Sequence, residues 1–318
     1  MDSPYTPPMT GPAPKDAPLG YLAEPRNKPV TLRTLNRMAQ NAEPFSCLAC
    51  YDALTASLLE RAGVHVLLLG DSAAQIVLGH PRTVDMPLEF SIQMTAALKR
   101  GAPNTVCMAD MPFMSYQADD AEGVRNAGRY ITEGLADIVK IEADTQYAGL
   151  VKKMTRAGVP VCGHVGLLPQ HAGMVGAYIA AGRTAAHAQK VIDDAVALED
   201  AGCVMLLIEA VPDEVTARIL ERTSVPVIGI GAGTACHGQI LVAADLLGMT
   251  TSTPRFVEPT ADLGNEIVRA VSTWVGRVSE RKIGGERYKM APDEAQRLET
   301  HSNRPSENPK TSPERSAR

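Results

Sequence analysis

The chain has 318 residues and a formal net charge of −5, with a pI of about 5.8. This acidic balance and the single tryptophan argue against a non-specific nucleic-acid surface and against a stacking platform for bases. No apolar stretch approaches the roughly 20 residues that a membrane span needs. We therefore expect that the partners are neither nucleic acids nor membranes. Most of the six cysteines fall inside strand-like runs, as reduced thiols do, and this favours a cytoplasmic protein.

The two ends of the chain differ in composition from its middle. Residues 1–28 are rich in proline, glycine and alanine, which is typical of a flexible or polyproline-like arm. Residues 284–318 are charged, contain proline and serine, and lack hydrophobic periodicity, so they predict a disordered tail. The intervening residues, 29–283, are expected to form a single catalytic domain.

In this middle region, apolar runs bounded by turn residues alternate with helical patterns. Such runs predict strands that are buried on both faces, as in a parallel sheet. An eighth strand near 249–252 is placed only by counting, after a predicted helix over 238–247 and before a closing helix over 261–281. The alternation predicts an α/β fold, a (β/α)8 barrel. The strand-like runs are 45–51, 64–69, 105–109, 138–141, 159–163, 203–208 and 225–230.

Charged or polar residues lie at or near the ends of most of these runs. In a (β/α)8 barrel the carboxyl ends of the strands converge on one face, and catalysis takes place there. The recurrence of acids at successive strand ends, rather than any single residue, carries the prediction of an active site. The side chains expected around this mouth are Asp71, Asp110, Lys140, Glu142, His164 and Glu209.

Carboxylates from three successive strands, Asp71, Asp110 and Glu142, form a set of hard oxygen ligands that suits Mg²⁺. A fitting substrate is a 2-oxo acid, whose carboxylate and keto oxygens chelate the ion while the ion polarises the carbonyl. Across the barrel, Glu209 is a candidate base for the proton next to that carbonyl. Lys140 is a candidate for neutralising the developing enolate charge.

Each of these residues also has a purely structural interpretation. A single acid at a strand end is often a helix cap or a salt-bridge partner. Lys140 lies inside an apolar run and needs a charged partner there, so a structural ion pair would account for it. His164 could be a hydrogen-bonded histidine of the core.

Two further motifs have simple explanations. Cys47 and Cys50 have the C-x-x-C spacing of redox and metal sites, but no second pair completes a zinc set, so we expect small buried thiols. The glycine-rich segment 229–233 lacks both the G-x-G-x-x-G pattern and a Walker lysine. This favours close backbone packing over phosphate binding.

Several segments together resemble the ketopantoate hydroxymethyltransferase family, whose members are also called 3-methyl-2-oxobutanoate hydroxymethyltransferases. The resemblance runs in order from about residue 30 to about residue 275. It rests on the segments 69–72 (LGDS), 79–80 (GH), 100–103 (RGAP), 109–113 (ADMPF), 139–142 (VKIE), 159–167 (VPVCGHVGL), 225–233 (VPVIGIGAG) and 238–242 (GQILV).

The resemblance implies a TIM barrel of the phosphoenolpyruvate/pyruvate superfamily type and a defined reaction. This family transfers a hydroxymethyl group from 5,10-methylenetetrahydrofolate to 3-methyl-2-oxobutanoate through a Mg²⁺-stabilised enolate, giving 2-dehydropantoate for pantothenate biosynthesis. The implied cofactor is Mg²⁺, the implied co-substrate is the folate, which would sit over the mouth, and the implied assembly is a homo-oligomer, often a decamer.

The resemblance also implies roles for individual residues. By motif match, Asp71 and Asp110 would bind Mg²⁺ directly, and Glu142 would hold metal-bound water. Ser72 and Lys140 would bind the 2-oxo acid together with the metal-bound Asp71 and Asp110. The implied catalytic residues are the general base and two further side chains of the site: Glu209, Lys140 and His164.

Around this implied site, the chain departs from the family pattern at several positions. These departures leave open a divergent paralogue that applies the same metal-enolate chemistry, as an aldol transfer or a lyase reaction, to a different 2-oxo acid. A catalytically idle barrel that serves as an assembly partner would be expected to lose the acids, and none is lost. The departures are Ala74 and Gln75, the segment 84–87 (Val-Asp-Met-Pro, ending in Pro87), Gln93 and Met94, Ala143 and Asp144, His237, and the missing Lys or Arg after Tyr178.

Overall fold

A computed structural model of the chain describes residues 25–302 except 172 and 174–178. The predicted arm over 1–28 therefore lies almost entirely outside the described residues, as does the last part of the predicted tail, 303–318. Contacts between residues divide the chain into two units, one up to Gly264 and one from Asn265 onward. The domain limits at 28 and 283 remain predictions.

Eight parallel strands close into a barrel in sequence order, and the last strand pairs back with the first. This confirms the predicted (β/α)8 architecture. The strands are β1 (Phe45–Ala49), β2 (Val66–Leu69), β3 (Val106–Asp110), β4 (Ile138–Glu142), β5 (Val161–Gly166), β6 (Met205–Glu209), β7 (Val227–Ile230) and β8 (Gly238–Val242).

Helices lie between the strands and at both ends of the described chain. In the first unit, or beginning in it, are α1 (Leu32–Gln40), α2 (Ala53–Arg61), α3 (Ala73–Ile76), α4 (Leu88–Gly101), α5 (Asp120–Thr132), α6 (Ala148–Arg156), α7 (Ala185–Asp200), α8 (Asp213–Arg222), α9 (Ala243–Leu246) and α10 (Leu263–Ser279). The second unit also contains α11 (Glu294–Ser302).

The acid that follows β1 has the structural role that a single strand-end acid often has. The Asp52 carboxylate accepts a hydrogen bond from the backbone N–H of Thr55 at 2.8 Å and so caps α2. The acid after β2 does not act in this way, because α3 begins after Ser72 and has no side-chain cap. This contrast separates Asp52 from the acids of the mouth.

The last strand was predicted in the wrong place. β8 occupies Gly238–Val242, where a helix was predicted, and only the four-residue α9 is helical in that region. The apolar run Ile240–Val242 is short and leads directly into alanines, which favour helix. Gly238 is required because a Cβ there would collide with the ring of Phe45 on the paired strand β1.

His164 lies within a strand rather than after it. β5 starts at Val161 and ends at Gly166, later at both ends than predicted. Pro160 lacks the backbone N–H that a central strand needs, so it precedes the strand instead of entering it. The shift does not remove His164 from the mouth.

The predicted disordered tail contains regular structure, since α11 lies at Glu294–Ser302. Leu298 is the only large apolar residue described in that helix, so the sequence shows no apolar periodicity there. All six cysteines are free and buried, as expected for Cys47 and Cys50. Among the described residues, no helix is long and apolar enough to cross a membrane.

Candidate active site

The strand-end side chains singled out by the sequence meet at the carboxyl end of the barrel. They surround a cavity of about 140 Å³, which we call the mouth cavity. Its polar lining consists of Asp71, Ser72, Asp110, Lys140, Glu142, His164, Glu209 and Thr83. The rest of the lining is mostly apolar and includes Ala49, Leu68, Leu207, Ile230, Ile240, Leu241 and Val242.

A buried ion pair links two neighbouring strands at this cavity. Asp110 of β3 is in register with Lys140 of β4, and Asp110 Oδ1 lies 2.5 Å from Lys140 Nζ. Burial alone would lower the pKa of Lys140, but the charges of Asp110 and Asp71 raise it above its ordinary value. Lys140 therefore remains an ammonium group. The ion pair that the structural interpretation requires is present, and it lies in the wall of the cavity.

Asp71 reaches the same cavity from the turn after β2. Its backbone N–H donates to Asp110 Oδ2 at 3.1 Å. Burial and then the nearby charge of Asp110 raise the pKa of Asp71 to about 7. A Cβ on Gly70 would lie 2.8 Å from Ser72 Oγ and 3.6 Å from Asp110 Oδ2, so the glycine keeps this space open.

Glu142 is the third acid and is held by a residue that the sequence did not single out. The backbone N–H of Gln170 donates to both Glu142 oxygens, at 3.2 Å and 2.9 Å. Burial and then the charge of Asp71 raise the pKa of Glu142 well above its ordinary value. The side chain of Gln170 donates to Asp71 Oδ2 at 3.1 Å, so one residue bonds two of the three acids.

Gln170 is itself fixed by buried partners. Its amide nitrogen also donates to the backbone carbonyl of Met111 at 3.0 Å. Its amide oxygen accepts from the Tyr116 hydroxyl at 3.2 Å and from Gln117 at 2.9 Å. Nothing in the local sequence marks this role, because an amide in a long loop fits no motif.

The candidate base lies two strands further around the barrel from Lys140. Burial raises the pKa of Glu209 to about 7, although the charge of Lys140 opposes the shift. Burial and then the charge of Lys140 lower the pKa of His164 well below its ordinary value, so the imidazole is neutral. Because the ammonium of Lys140 can only donate, His164 Nδ1 accepts from it at 3.3 Å. The proton of His164 is then on Nε2, which lies 3.2 Å from Glu209 Oε2 but outside hydrogen-bond geometry.

Ser72 contributes a hydroxyl at the edge of the cavity. Its Oγ lies 2.8 Å from the hydroxyl of Tyr51, which is buried two residues after the end of β1. Burial raises the pKa of Tyr51, so this residue remains a neutral phenol that can hold the serine in place. Tyr51 is a second residue of the site that the sequence did not single out.

Acidic groups outnumber basic groups around the mouth cavity, and the raised pKa values of Asp71 and Glu142 reflect this crowding as well as burial. One ammonium group faces four carboxyl groups, and the neutral His164 does not offset them. A divalent cation bound to carboxylate oxygens would compensate the excess, and oxygen ligands are those that Mg²⁺ prefers. The four carboxyl groups are those of Asp71, Asp110, Glu142 and Glu209.

The arrangement of the acids favours fewer than three direct protein ligands. Within the described ranges, no three His, Cys, Asp or Glu side chains stand together as a ready metal site. Mg²⁺ is commonly held by one or two carboxylates and completes its shell with water and substrate oxygens. Asp71 and Asp110, which are linked by a hydrogen bond, fit that pattern as direct ligands. Glu142 would then hold a metal-bound water.

The departures from the family pattern lie outside the mouth cavity. Ala74 is buried in the apolar core, and Met94 packs against that core. Pro87 is exposed at the start of α4. His237 precedes β8 at the opposite end of the barrel, where its Nδ1 accepts from the Val227 N–H at 3.0 Å. Gln75 lines a larger cavity near the mouth that also contains Phe256, and Val84 lines another cavity that contains Phe113.

Most of the chain matches a single known family. The family model for ketopantoate hydroxymethyltransferase covers residues 29–286. The chain belongs to this family. A 3-methyl-2-oxobutanoate hydroxymethyltransferase of Carboxydothermus hydrogenoformans is 40% identical over 272 residues, which are 85% of this chain and 99% of the relative. The enzyme of that name from Hyperthermus butylicus is 43% identical over 257 residues, 81% of this chain and 89% of the relative.

Solved structures outside the family share its barrel at much lower identity. A phosphonopyruvate hydrolase in complex with oxalate and Mg²⁺ is 17% identical, with a TM-score of 0.54 over 85% of this chain and 95% of that one. A 2,3-dimethylmalate lyase of the PEP mutase/isocitrate lyase superfamily is 16% identical, with a TM-score of 0.52 over 86% and 98%. These likenesses show the fold, and they agree with the barrel type that the family resemblance implies.

Proposed function

We propose that this chain transfers a hydroxymethyl group from 5,10-methylenetetrahydrofolate to C3 of 3-methyl-2-oxobutanoate, giving 2-dehydropantoate. The observation that carries the proposal is the composition of the mouth cavity. It joins a charged region around Lys140 to an apolar wall and to Glu209, a carboxyl that is 21% exposed and has a raised pKa. A branched 2-oxo acid needs all three, since it has a polar end, an alkyl end and an acidic proton between them.

The proposed cofactor is Mg²⁺, for which Asp71 and Asp110 would be direct ligands and Glu142 would act through water. When bound, the ion would polarise the 2-oxo group as a Lewis acid. Ser72 and Lys140 would bind the 2-oxo acid beside it. The excess of carboxylates over ammonium groups in the cavity supports this assignment.

Glu209 is proposed to remove the proton from C3. A carboxylate with a pKa of about 7 is a stronger base than an ordinary glutamate and is still ionised in a useful fraction near neutral pH. Lys140 would offset the negative charge of the resulting enolate. His164, held by Lys140 and next to Glu209, would keep the base oriented.

The transfer balances when one water molecule is included. C3 forms a bond to the methylene carbon of the folate, and both bonds from that carbon to folate nitrogens break. Water supplies the hydroxyl oxygen of the product. The two folate nitrogens receive the proton that left C3 and one proton of the water, giving tetrahydrofolate.

The first test is exchange of the C3 proton of 3-methyl-2-oxobutanoate, followed by NMR in D₂O with and without Mg²⁺ and without folate. This separates proton removal from carbon transfer. We expect loss of the C3 proton signal only when enzyme and Mg²⁺ are both present. An absence of exchange with folded, Mg²⁺-supplied enzyme would contradict the proposed substrate.

A paralogue that acts on another 2-oxo acid is the second candidate, because Gln75 departs from the family pattern at a cavity near the mouth. A comparison of exchange and turnover for 3-methyl-2-oxobutanoate, 2-oxobutanoate and pyruvate distinguishes the two. The apolar wall of the mouth cavity favours the branched acid.

We also propose that the protein works as a cytoplasmic homo-oligomer, as the family resemblance implies. Light scattering coupled to size exclusion would give the number of subunits, and a decamer is the expected result.

A further inference from the structure

Two buried polar atoms of the mouth cavity have no hydrogen-bond partner. Among the described residues, the side-chain atoms in this condition are Thr83 Oγ1, His164 Nε2 and Arg26 Nε, and the first two belong to residues that line the cavity. His164 Nε2 lies beside the candidate base, 3.2 Å from Glu209 Oε2. Thr83, by contrast, has no part in the reaction proposed so far. A buried hydroxyl without a partner costs free energy, which a ligand recovers if it supplies the missing bond.

The turn that carries Thr83 is closed by its own bonds. Thr83 begins a turn of 3₁₀ helix, Thr83–Asp85, and only 6% of the residue is exposed. Its carbonyl accepts from the Met86 N–H at 3.1 Å, and Arg82 Nη2 lies 2.6 Å from Asp85 Oδ1 across the turn. The side chain is β-branched and therefore has few rotamers. The backbone and the side chain both limit where the hydroxyl can point.

Thr83 lies where the mouth cavity opens into a larger one of about 700 Å³, which contains Phe256 and which we call the Phe256 cavity. Only two of the residues common to both cavities, Thr83 and Glu209, have polar side chains, whereas the proposed metal ligands line the mouth cavity alone. The opening therefore has the candidate base and one hydroxyl on an otherwise apolar boundary. The common residues are Thr83, Pro169, Glu209, Ile230, Leu241 and Val242.

The polar atoms of 3-methyl-2-oxobutanoate do not account for the Thr83 hydroxyl. In the proposed reaction, its carboxylate and 2-oxo oxygens face the metal and Lys140, and its other end is an isopropyl group whose C3 lies beside Glu209. The product differs from the substrate by one polar group, the hydroxyl of the new hydroxymethyl arm, which is two bonds from C3. This hydroxyl therefore forms near Glu209, at the boundary that Thr83 also lines.

We propose that the hydroxyl of Thr83 binds the hydroxyl of the hydroxymethyl arm in the product, 2-dehydropantoate. A threonine hydroxyl both donates and accepts, so it can bond another hydroxyl in either sense. The bond supplies the partner that Thr83 Oγ1 lacks within the described part of the chain. The assignment rests on the proposed function, which supplies the product, and it adds the residue that distinguishes the hydroxymethyl arm from the methyl groups of the substrate.

The test compares the affinities of two acids that differ only by the hydroxymethyl arm. Calorimetry on the full-length chain, with saturating Mg²⁺ and without folate, measures the dissociation constants of 3-methyl-2-oxobutanoate and 2-dehydropantoate. T83V removes the hydroxyl at nearly constant volume. We expect it to raise the constant for 2-dehydropantoate about three- to tenfold, through the loss of one hydrogen bond, and to leave the constant for 3-methyl-2-oxobutanoate unchanged.

Further variants separate the hydroxyl from the shape of the side chain. T83S keeps the hydroxyl and should retain the affinity for 2-dehydropantoate. T95V is the matched control, because Thr95 is equally buried, lines neither cavity, and donates its hydroxyl to the Ser91 carbonyl at 2.8 Å. It should leave the ratio of the two constants unchanged. T83A replaces T83V in the same comparison if the valine variant does not fold.

Each remaining outcome contradicts the assignment. If T83V weakens both acids equally, Thr83 binds the part that they share, and if it weakens neither, Thr83 binds no part of them. If T83S loses the affinity as T83V does, the hydroxyl is not the cause. C3 proton exchange without folate reports separately on the proposed function. Its absence in the unaltered chain contradicts that function and this assignment with it, whereas normal exchange in the unaltered chain with an unchanged affinity ratio in T83V contradicts the product contact alone.

Discussion

Each end of the barrel buries a glutamate, Glu60 at the amino end and Glu142 at the carboxyl end, and the two differ in their hydrogen-bond partners. At the amino end, Glu60 of α2 is 1% exposed and accepts hydrogen bonds from the backbone N–H groups of Arg26 and Asn104 and from the Thr105 hydroxyl. The guanidinium of Arg26 donates to the backbone carbonyls of Glu60 and Val64. This glutamate is fully bonded and holds the segment before α1 to the barrel.

At the carboxyl end, the buried acids have fewer partners than their charge requires. Glu142 accepts from the Gln170 backbone, and its pKa is raised well above the ordinary value by burial and by Asp71. Glu209 is 21% exposed, the buried Nε2 of His164 beside it makes no hydrogen bond to it, and partial burial raises the pKa of Glu209 to about 7. A buried acid whose oxygens all accept hydrogen bonds usually stabilises the fold. A buried acid with a strongly shifted pKa is more often part of a functional site.

The largest effect that would test this contrast is expected from E209Q. Because the amide cannot accept the proton, C3 exchange should fall by about 10²–10⁴-fold. The free energy of unfolding should not decrease, since the substitution removes an acid whose burial disfavours its charge. Exchange by NMR and urea denaturation measure the two quantities, and undiminished exchange would remove Glu209 from the role of base.

A smaller effect is expected for Q170A, which removes the side-chain bond to Asp71. Loss of a residue that orients metal ligands typically lowers metal affinity by about 10–100-fold. Titration with Mn²⁺ followed by electron paramagnetic resonance measures the affinity without a need for activity. Q117A removes one of the bonds that fix Gln170 and leaves its bonds to the acids in place, so we expect it to lower the affinity less than Q170A does. An affinity of Q170A equal to that of the unaltered chain would show that Gln170 does not position the site.

The pH dependence of C3 exchange tests the raised pKa of Glu209. Protonation abolishes the base, so kcat/KM for exchange should fall about tenfold per pH unit below roughly pH 7 and level off above it. An ordinary glutamate would keep its activity down to about pH 4.5. A profile that stays flat over the roughly two pH units below neutrality would contradict the shift.

The smallest effect on kinetics is expected at the other end of the barrel. E60Q places an amide nitrogen where donors already point at a carboxylate, and it should lower the free energy of unfolding by about 1–3 kcal/mol. Exchange and turnover per folded molecule should stay unchanged, because Glu60 lies far from the mouth cavity and does not line it. A kinetic defect in stable E60Q would show that the two ends are coupled.

The sequence predicts those features that recur along it. Seven strands were identified from apolar runs, and the polar residues at their ends meet in one cavity because parallel strands end on the same face. β8 was missed because its strand character depends on pairing with β1 and β7, which no local pattern records. Placement by count then put the strand at 249–252, entirely after the observed Gly238–Val242.

The bonding partners of the acids were less predictable than the acids themselves. Gln170 bonds Glu142 across 28 positions of the sequence and Asp71 across 99 positions. Such residues lie in loops without periodicity, and their roles follow from tertiary folding alone.

Every strand of the barrel contributes at least one residue to the mouth cavity, from Ala49 of β1 to Ile240 of β8. The wall of the cavity is therefore complete only after the first and last strands have paired. During synthesis, when chains emerge from the amino terminus, all the proposed metal ligands and the base precede β8. A nascent chain would thus carry every reactive group for some time before it could enclose a substrate. Catalysis would begin only when the barrel has closed.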